Sequence, residues 1–173
     1  MTDAFHLSVI VTPRPEPWSV RALPFALLKT FDETIEAGDE PRATAILATA
    51  TELHVFDLND AMTDGATKRA AVDALRAYAA QHQAVAVALA AEVWVSRQNA
   101  VAPSESPDRR EAMILTLETL SVPTQTQEIP ILTESGKRRL AVEKSAVIDG
   151  VSIFDGILPQ RAPLSSADRS KLN

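Results

Sequence analysis

Few residues in this chain carry side chains suited to catalysis or metal binding, and their spacing is informative. The histidines His6, His54 and His82 do not pair at any short ligand spacing. His54 and Asp57 fall on opposite faces of one candidate strand, so they cannot act together. His82 falls in the last turn of a candidate helix, where partial positive charge suits the dipole. There is no cysteine, which excludes disulfides, thiolate nucleophiles and Cys-based zinc or iron–sulfur sites. No G-x-S-x-G elbow presents a serine; Ser104 and Ser106 sit in a Pro-flanked loop without glycine. Neither G-x-G-x-x-G nor G-x-x-x-x-G-K occurs, which removes the usual phosphate cradles. We therefore expect no cofactor and assign no metal ligand.

The carboxylates are more informative. Glu92 interrupts an almost wholly apolar run and shares a strand face with Trp94. A carboxylate there must be paired or sit at a sheet end. Arg109 or Arg110, at the start of the next candidate strand, is the expected partner. Asp57, Glu92 and Glu111 could together serve a divalent cation if they converged within about 4 Å of one ion. The run from Pro103 to Arg110 is stiffened by two prolines. In it Ser104 and Ser106 can turn the chain, and Asp108 can pair with a following arginine. The expected functional surface is therefore Glu92, Trp94, Ser104, Arg109, Arg110 and Glu111.

The same residues carry a resemblance. Glu92-Val93-Trp94, followed by a loop reading Pro-Ser-x-x-Pro-x-Arg from Pro103 to Arg109, resembles a pattern in a group of small bacterial proteins. Those proteins have Glu-Ala-Trp where this chain has Val93. The resemblance spans residues 66–120. It implies no activity, and it implies that the loop belongs to the fold.

These residues need elements to position them. Residues 5–11 are rich in β-formers and suggest a short strand. The prolines at 13, 15 and 17 stiffen a connector pinned by Trp18. Leu27, Leu28, Phe31 and Ile35 recur at helical spacing within 23–37, and Gly38 is placed to end that helix. Segments 44–49 and 53–58 form a hairpin. A second helix covers 66–83, with Val72, Leu75, Ala79 and His82 along one stripe. Residues 84–97 form a strand whose first half is apolar on both faces, so it should be central. Further strands follow at 111–120, 127–133 and 138–144, the last two joined at Gly136. Pro130 places its strand at an edge or at a bulge. Residues 151–154 are one more apolar stretch.

The expected fold is α+β: a single mixed, mostly antiparallel sheet with two helices packed on one face. A Pro-rich N-terminal arm covers 1–22, the domain covers 23–158, and 159–173 form a flexible polar tail.

Composition sets the outer limits. The 173 residues carry a formal net charge of -6 and are 46% hydrophobic. That fits one globular domain and argues against a nucleic-acid binder, since the basic clusters at the strand ends, Lys137, Arg138 and Arg139 and the pair Arg109 and Arg110, are short. No apolar run is long enough to cross a membrane, and no secretory start is present, which fits the cytoplasm. The expected function is a non-enzymatic accessory or protein-interaction module, acting as a homo-oligomer or on a protein partner. The alternative is a small carboxylate and divalent-metal hydrolase or nuclease-like enzyme.

Overall fold

The computed structural model describes residues 7–96, 102, 105–148 and 156–158. Ten elements position the rest. In chain order they are β1 (Ser8–Pro13), α1 (Ala22–Glu36), β2 (Thr44–Ala48), β3 (Glu52–Asp57), α2 (Gly65–Gln81), β4 (Ala86–Val95), β5 (Arg110–Thr119), β6 (Gln125–Glu134), β7 (Lys137–Leu140) and β8 (Ala146–Ile148). The strands form one curled sheet in the order β1-β3-β2-β4-β5-β6-β7, with β8 also pairing β6. The protein is an α+β fold.

Local chemistry explains the boundaries. After α1, Gly38 takes φ +84°. Its N–H donates to Ile35 O, and the Asp39 N–H donates to Thr34 O, a double closure that ends the helix where the glycine is. At the start of α2 the Asp64 carboxylate accepts from the Ala66 and Thr67 N–H groups, and Thr67 reaches back to the Asp64 N–H. Those bonds hold the Asp64 carboxyl below its ordinary pKa. Ser135 and Gly136 both take positive φ, as a tight β6–β7 hairpin requires.

Two details differ from the sequence expectation. Every strand pairing is antiparallel, so the sheet is not mixed. The helices lie on opposite faces, not one. Leu27, Phe31 and Ile35 of α1 pack with Ile46, Ala88 and Ala90. Val72, Leu75 and Ala79 of α2 pack with Leu47, Val87 and Leu89. Residues 46 and 47 alternate sides, as do 87 and 88. The physical reason is handedness. α1 carries the chain from β1 past β3 to β2, and α2 carries it from β3 past β2 to β4. Both crossovers move the same way across the sheet, but they leave from antiparallel strands. Crossovers of one hand must then use opposite faces.

β4 is central as expected, and Ala86–Ala91 is buried on both sides. Its alanines let the sheet lie between two helices without a thick core. Pro130 is not on an edge strand, since β6 has neighbours on both sides. It accepts at its carbonyl from the Ala141 N–H (2.8 Å), so its missing N–H faces the same side. There the neighbouring chain leaves the ladder: β7 ends, a short 3-10 turn covers Val142–Lys144, and β8 resumes. Neither expectation holds for the strand of Pro130 itself, since β6 runs unbroken in register with β5. The interruption lies in the neighbouring chain, where the single strand expected over 138–144 is broken into β7, the turn and β8. The Pro-rich run is tied to the sheet: Arg14 donates to Thr51 O and Thr49 O, and its guanidinium lies 5.1 Å from the Trp18 ring centroid. The apolar stretch 151–154 and the tail 159–173 lie outside the described residues.

Candidate functional site

Register brings part of the expected surface together. Trp94 stands opposite Glu111 and Glu92 opposite Met113, so all these side chains share the α1 face. Arg138 joins them from β7. Its Nη2 lies 2.6 Å from Glu92 Oε1 and 3.1 Å from Glu111 Oε2. The hydrogen bond to Glu92, with the charges of both carboxylates, raises the Arg138 guanidinium above its ordinary pKa.

The partner of Glu92 is thus Arg138, not Arg109 or Arg110. Arg109 lies over the Trp94 ring, 4.8 Å from its centroid. Arg110 is one residue from Glu111 and so faces the other side, where it pairs with Glu128 at 2.6 Å. Ser104 lies outside the described residues. Its neighbour Ser106 is buried and shares hydrogen bonds with Ser96 (2.8 Å) and Asp108, tying the loop to the end of β4. Ser96 also donates to Asp108 at 2.6 Å.

This arrangement is an ion triad beneath a half-exposed tryptophan. Glu92 and Glu111 spend their charge on Arg138, and Asp57 holds Arg42 two strands away. Among the described residues, no three His, Asp or Glu side chains are grouped as a metal ion would require. Glu92, Glu111 and Arg138 therefore fix how the ends of β4, β5 and β7 sit together.

A second polar cluster lies on the α2 face. His54 is almost fully buried, with Nδ1 2.8 Å from Tyr78 Oη. Tyr78 stacks on His82 at 4.0 Å between centroids and meets Phe56 edge-on. His54 Nε2 lies 3.5 Å from Glu52 Oε2 but outside hydrogen-bond geometry. Burial, then the Glu52 charge, raise the Tyr78 phenol above its ordinary pKa, so it stays protonated. The pairing of Tyr78 with His82, four apart on a helix, is visible in the sequence; the arrival of His54 needs the sheet. Glu118 is a further buried carboxylate that sequence reasoning misses. It accepts from the Ile157 and Leu158 N–H groups at 3.0 and 3.1 Å and so seats that segment on the α2-side core.

No protein-family model, curated protein or solved structure matches this chain.

The remaining feature is a sheet edge. All six residues of β1 are exposed, Ile10 at 65% and Val9 and Val11 with it. None of Ser8–Pro13 is charged. The hydrogen-bond phase shows which backbone groups are free. Arg14 N–H donates to Thr51 O directly opposite it, so even-numbered residues bond inward to β3. Odd-numbered residues, Val9 and Val11, turn their N–H and C=O outward. Pro13 is also odd, so its missing donor falls on the outer side, where it costs the sheet nothing. Among the described residues no other strand lies along that side. Also among the described residues, no helix is long and apolar enough to cross a membrane.

Proposed function

We propose that this protein is a non-enzymatic interaction module that binds an extended polypeptide as an added strand along β1. The observation that carries the reading is the β1 edge: apolar, uncharged side chains beside outward-facing Val9 and Val11 backbone groups. Such an edge invites another strand. Main-chain bonds supply affinity, and side chains alternating above and below the sheet supply selectivity.

The ion triad supports the same reading from the other direction. Its charged groups are consumed in holding strands together, which suits a scaffold more than a reaction centre.

The test is panning of displayed random peptides on sparsely immobilised protein, where copies stay apart. The expected outcome is enrichment of peptides with β-branched or aromatic residues at alternate positions, abolished by Val11→Pro. That substitution removes an outward N–H and no inward bond. Equal enrichment on protein and variant, or none on either, contradicts the reading.

A further inference from the structure

We propose that the occupant of the β1 edge is a second copy of this chain, paired antiparallel about a two-fold axis between the two Ile10 residues. The proposal rests on the strand-addition reading above and names its partner.

The first argument is backbone phase. Only Val9 and Val11 present outward groups within the apolar part of β1, because even-numbered residues are bonded to β3. An antiparallel copy centred on Ile10 sets Val9 opposite Val11 of the other copy. Each N–H then meets a C=O in both directions. Ile10 meets Ile10 in a non-hydrogen-bonded pair, the kind that brings side chains closest.

The second argument is side-chain matching. In this register Ser8 faces Thr12, Val9 faces Val11 and Ile10 faces itself, so polar meets polar and apolar meets apolar. Slipping by one two-residue step in either direction sets Ile10 opposite Ser8 or Thr12. The strand reads nearly the same in both directions about Ile10, which is what a two-fold contact needs.

The third argument is charge. Each copy carries -6, so two copies repel wherever acidic surfaces meet. β1 offers a strip of six residues with no charged side chain. The opposite side of the sheet carries Lys137, Arg138 and Arg139 within a four-residue strand, and a second copy there would oppose like charges.

A contact limited to one strand per copy buries less than a standard interface, so the dimer is expected to be weak and concentration-dependent. The absence of cysteine makes the register directly readable. Ile10→Cys places one thiol on the axis, where paired Cα atoms lie about 4.5 Å apart, within disulfide reach. Under mild oxidation Ile10→Cys should form a covalent dimer. Ser8→Cys and Thr12→Cys should each stay monomeric alone and cross-link when mixed. Wild-type protein should sediment as monomer at low micromolar and increasingly as dimer toward submillimolar concentration. Equal cross-linking of every single variant, or cross-linking of Ile10→Cys only with Ser8→Cys, overturns the register. A wild-type chain that stays monomeric throughout overturns self-pairing. If that monomer still enriches extended peptides on β1, strand addition stands and only the identity of the occupant is wrong; if it enriches none, both readings fall.

Discussion

β1 and the β7–β8 chain border the same sheet at opposite ends, and they treat their unpaired backbone differently. β1 runs six residues without a break and without a charge. The other border is cut into pieces of four and three residues by the turn at Val142–Lys144. It also carries charge: Arg139 bridges Glu134 and Glu143 at 3.2 and 3.1 Å, and Arg138 reaches back to Glu92 and Glu111. Short pieces, bulges and charged side chains are the devices that keep an edge from pairing. One border has them all; the other has only Pro13 at its end. The difference teaches that an open edge is not a general property of this sheet. A long uncharged open edge is confined to β1; β8 is also uncharged and exposes Val147, but it is only three residues long.

The largest expected effect lies on β1. Val11→Pro deletes an outward N–H that the sheet does not use. We expect self-association or peptide capture to fall at least about a hundredfold, near 2.7 kcal/mol, while stability falls by about 1 kcal/mol or less. Ile10→Pro deletes an inward N–H instead. It should cost about 1–3 kcal/mol of stability through the lost ladder bond, read by denaturant unfolding. If the two variants behave alike, the assignment of outward and inward groups is wrong.

On the protected border the strongest effect should come from Arg138→Ala, which leaves Glu92 and Glu111 facing each other. Both are about 28–29% exposed, so the cost should be about 2 kcal/mol, below that of a fully buried pair. Adding Glu92→Gln to Arg138→Ala should restore part of it. Association through β1 should not change, and sedimentation checks that.

Much of this architecture is legible in the amino-acid order alone. Alternation in 84–95 implies a central strand, because valine and alanine on both faces require cover on both sides. Gly38 and Gly136 mark a stop and a turn through backbone rules that need no partner, whereas Pro130 sits where the neighbouring chain leaves the ladder, in a strand that is neither an edge nor bulged. Glu92 is recognisable as a carboxylate needing a cation. The identity of that cation is not, because Arg138 lies 46 residues away, and only the curl of the sheet over β5 and β6 brings it near. His54 and Glu118 escape local reasoning for the same cause: each is satisfied by a segment distant in sequence. The side chosen by each helix depends on strand order, which local periodicity does not encode.

A smaller effect should follow from making the protected border resemble β1. Lys137→Val with Arg139→Val should change stability little, since Lys137 is exposed and the Arg139 bridges to Glu134 and Glu143 are solvent-screened. It should also add a second mode of association, visible by light scattering as species larger than a dimer. If such species do not appear, charge is not what guards that border.

The smallest effect is a titration. The Glu143 carboxyl is held below its ordinary pKa by its own backbone N–H and by Arg139. Its folded value is depressed, so its contribution is present above the ordinary glutamate range and is lost as pH falls through the lowered value. Carboxyl NMR should place its midpoint below that of an unpaired glutamate, and Arg139→Ala should move it upward. β1 has no titratable side chain to respond.

The most direct measurement of the central claim is backbone amide exchange at low and high protein concentration, resolved by residue. The account predicts that the Val9 and Val11 amides slow as concentration rises, while those of β7 and β8 stay constant. Slowing confined to β7 and β8, with Val9 and Val11 unchanged, would contradict it.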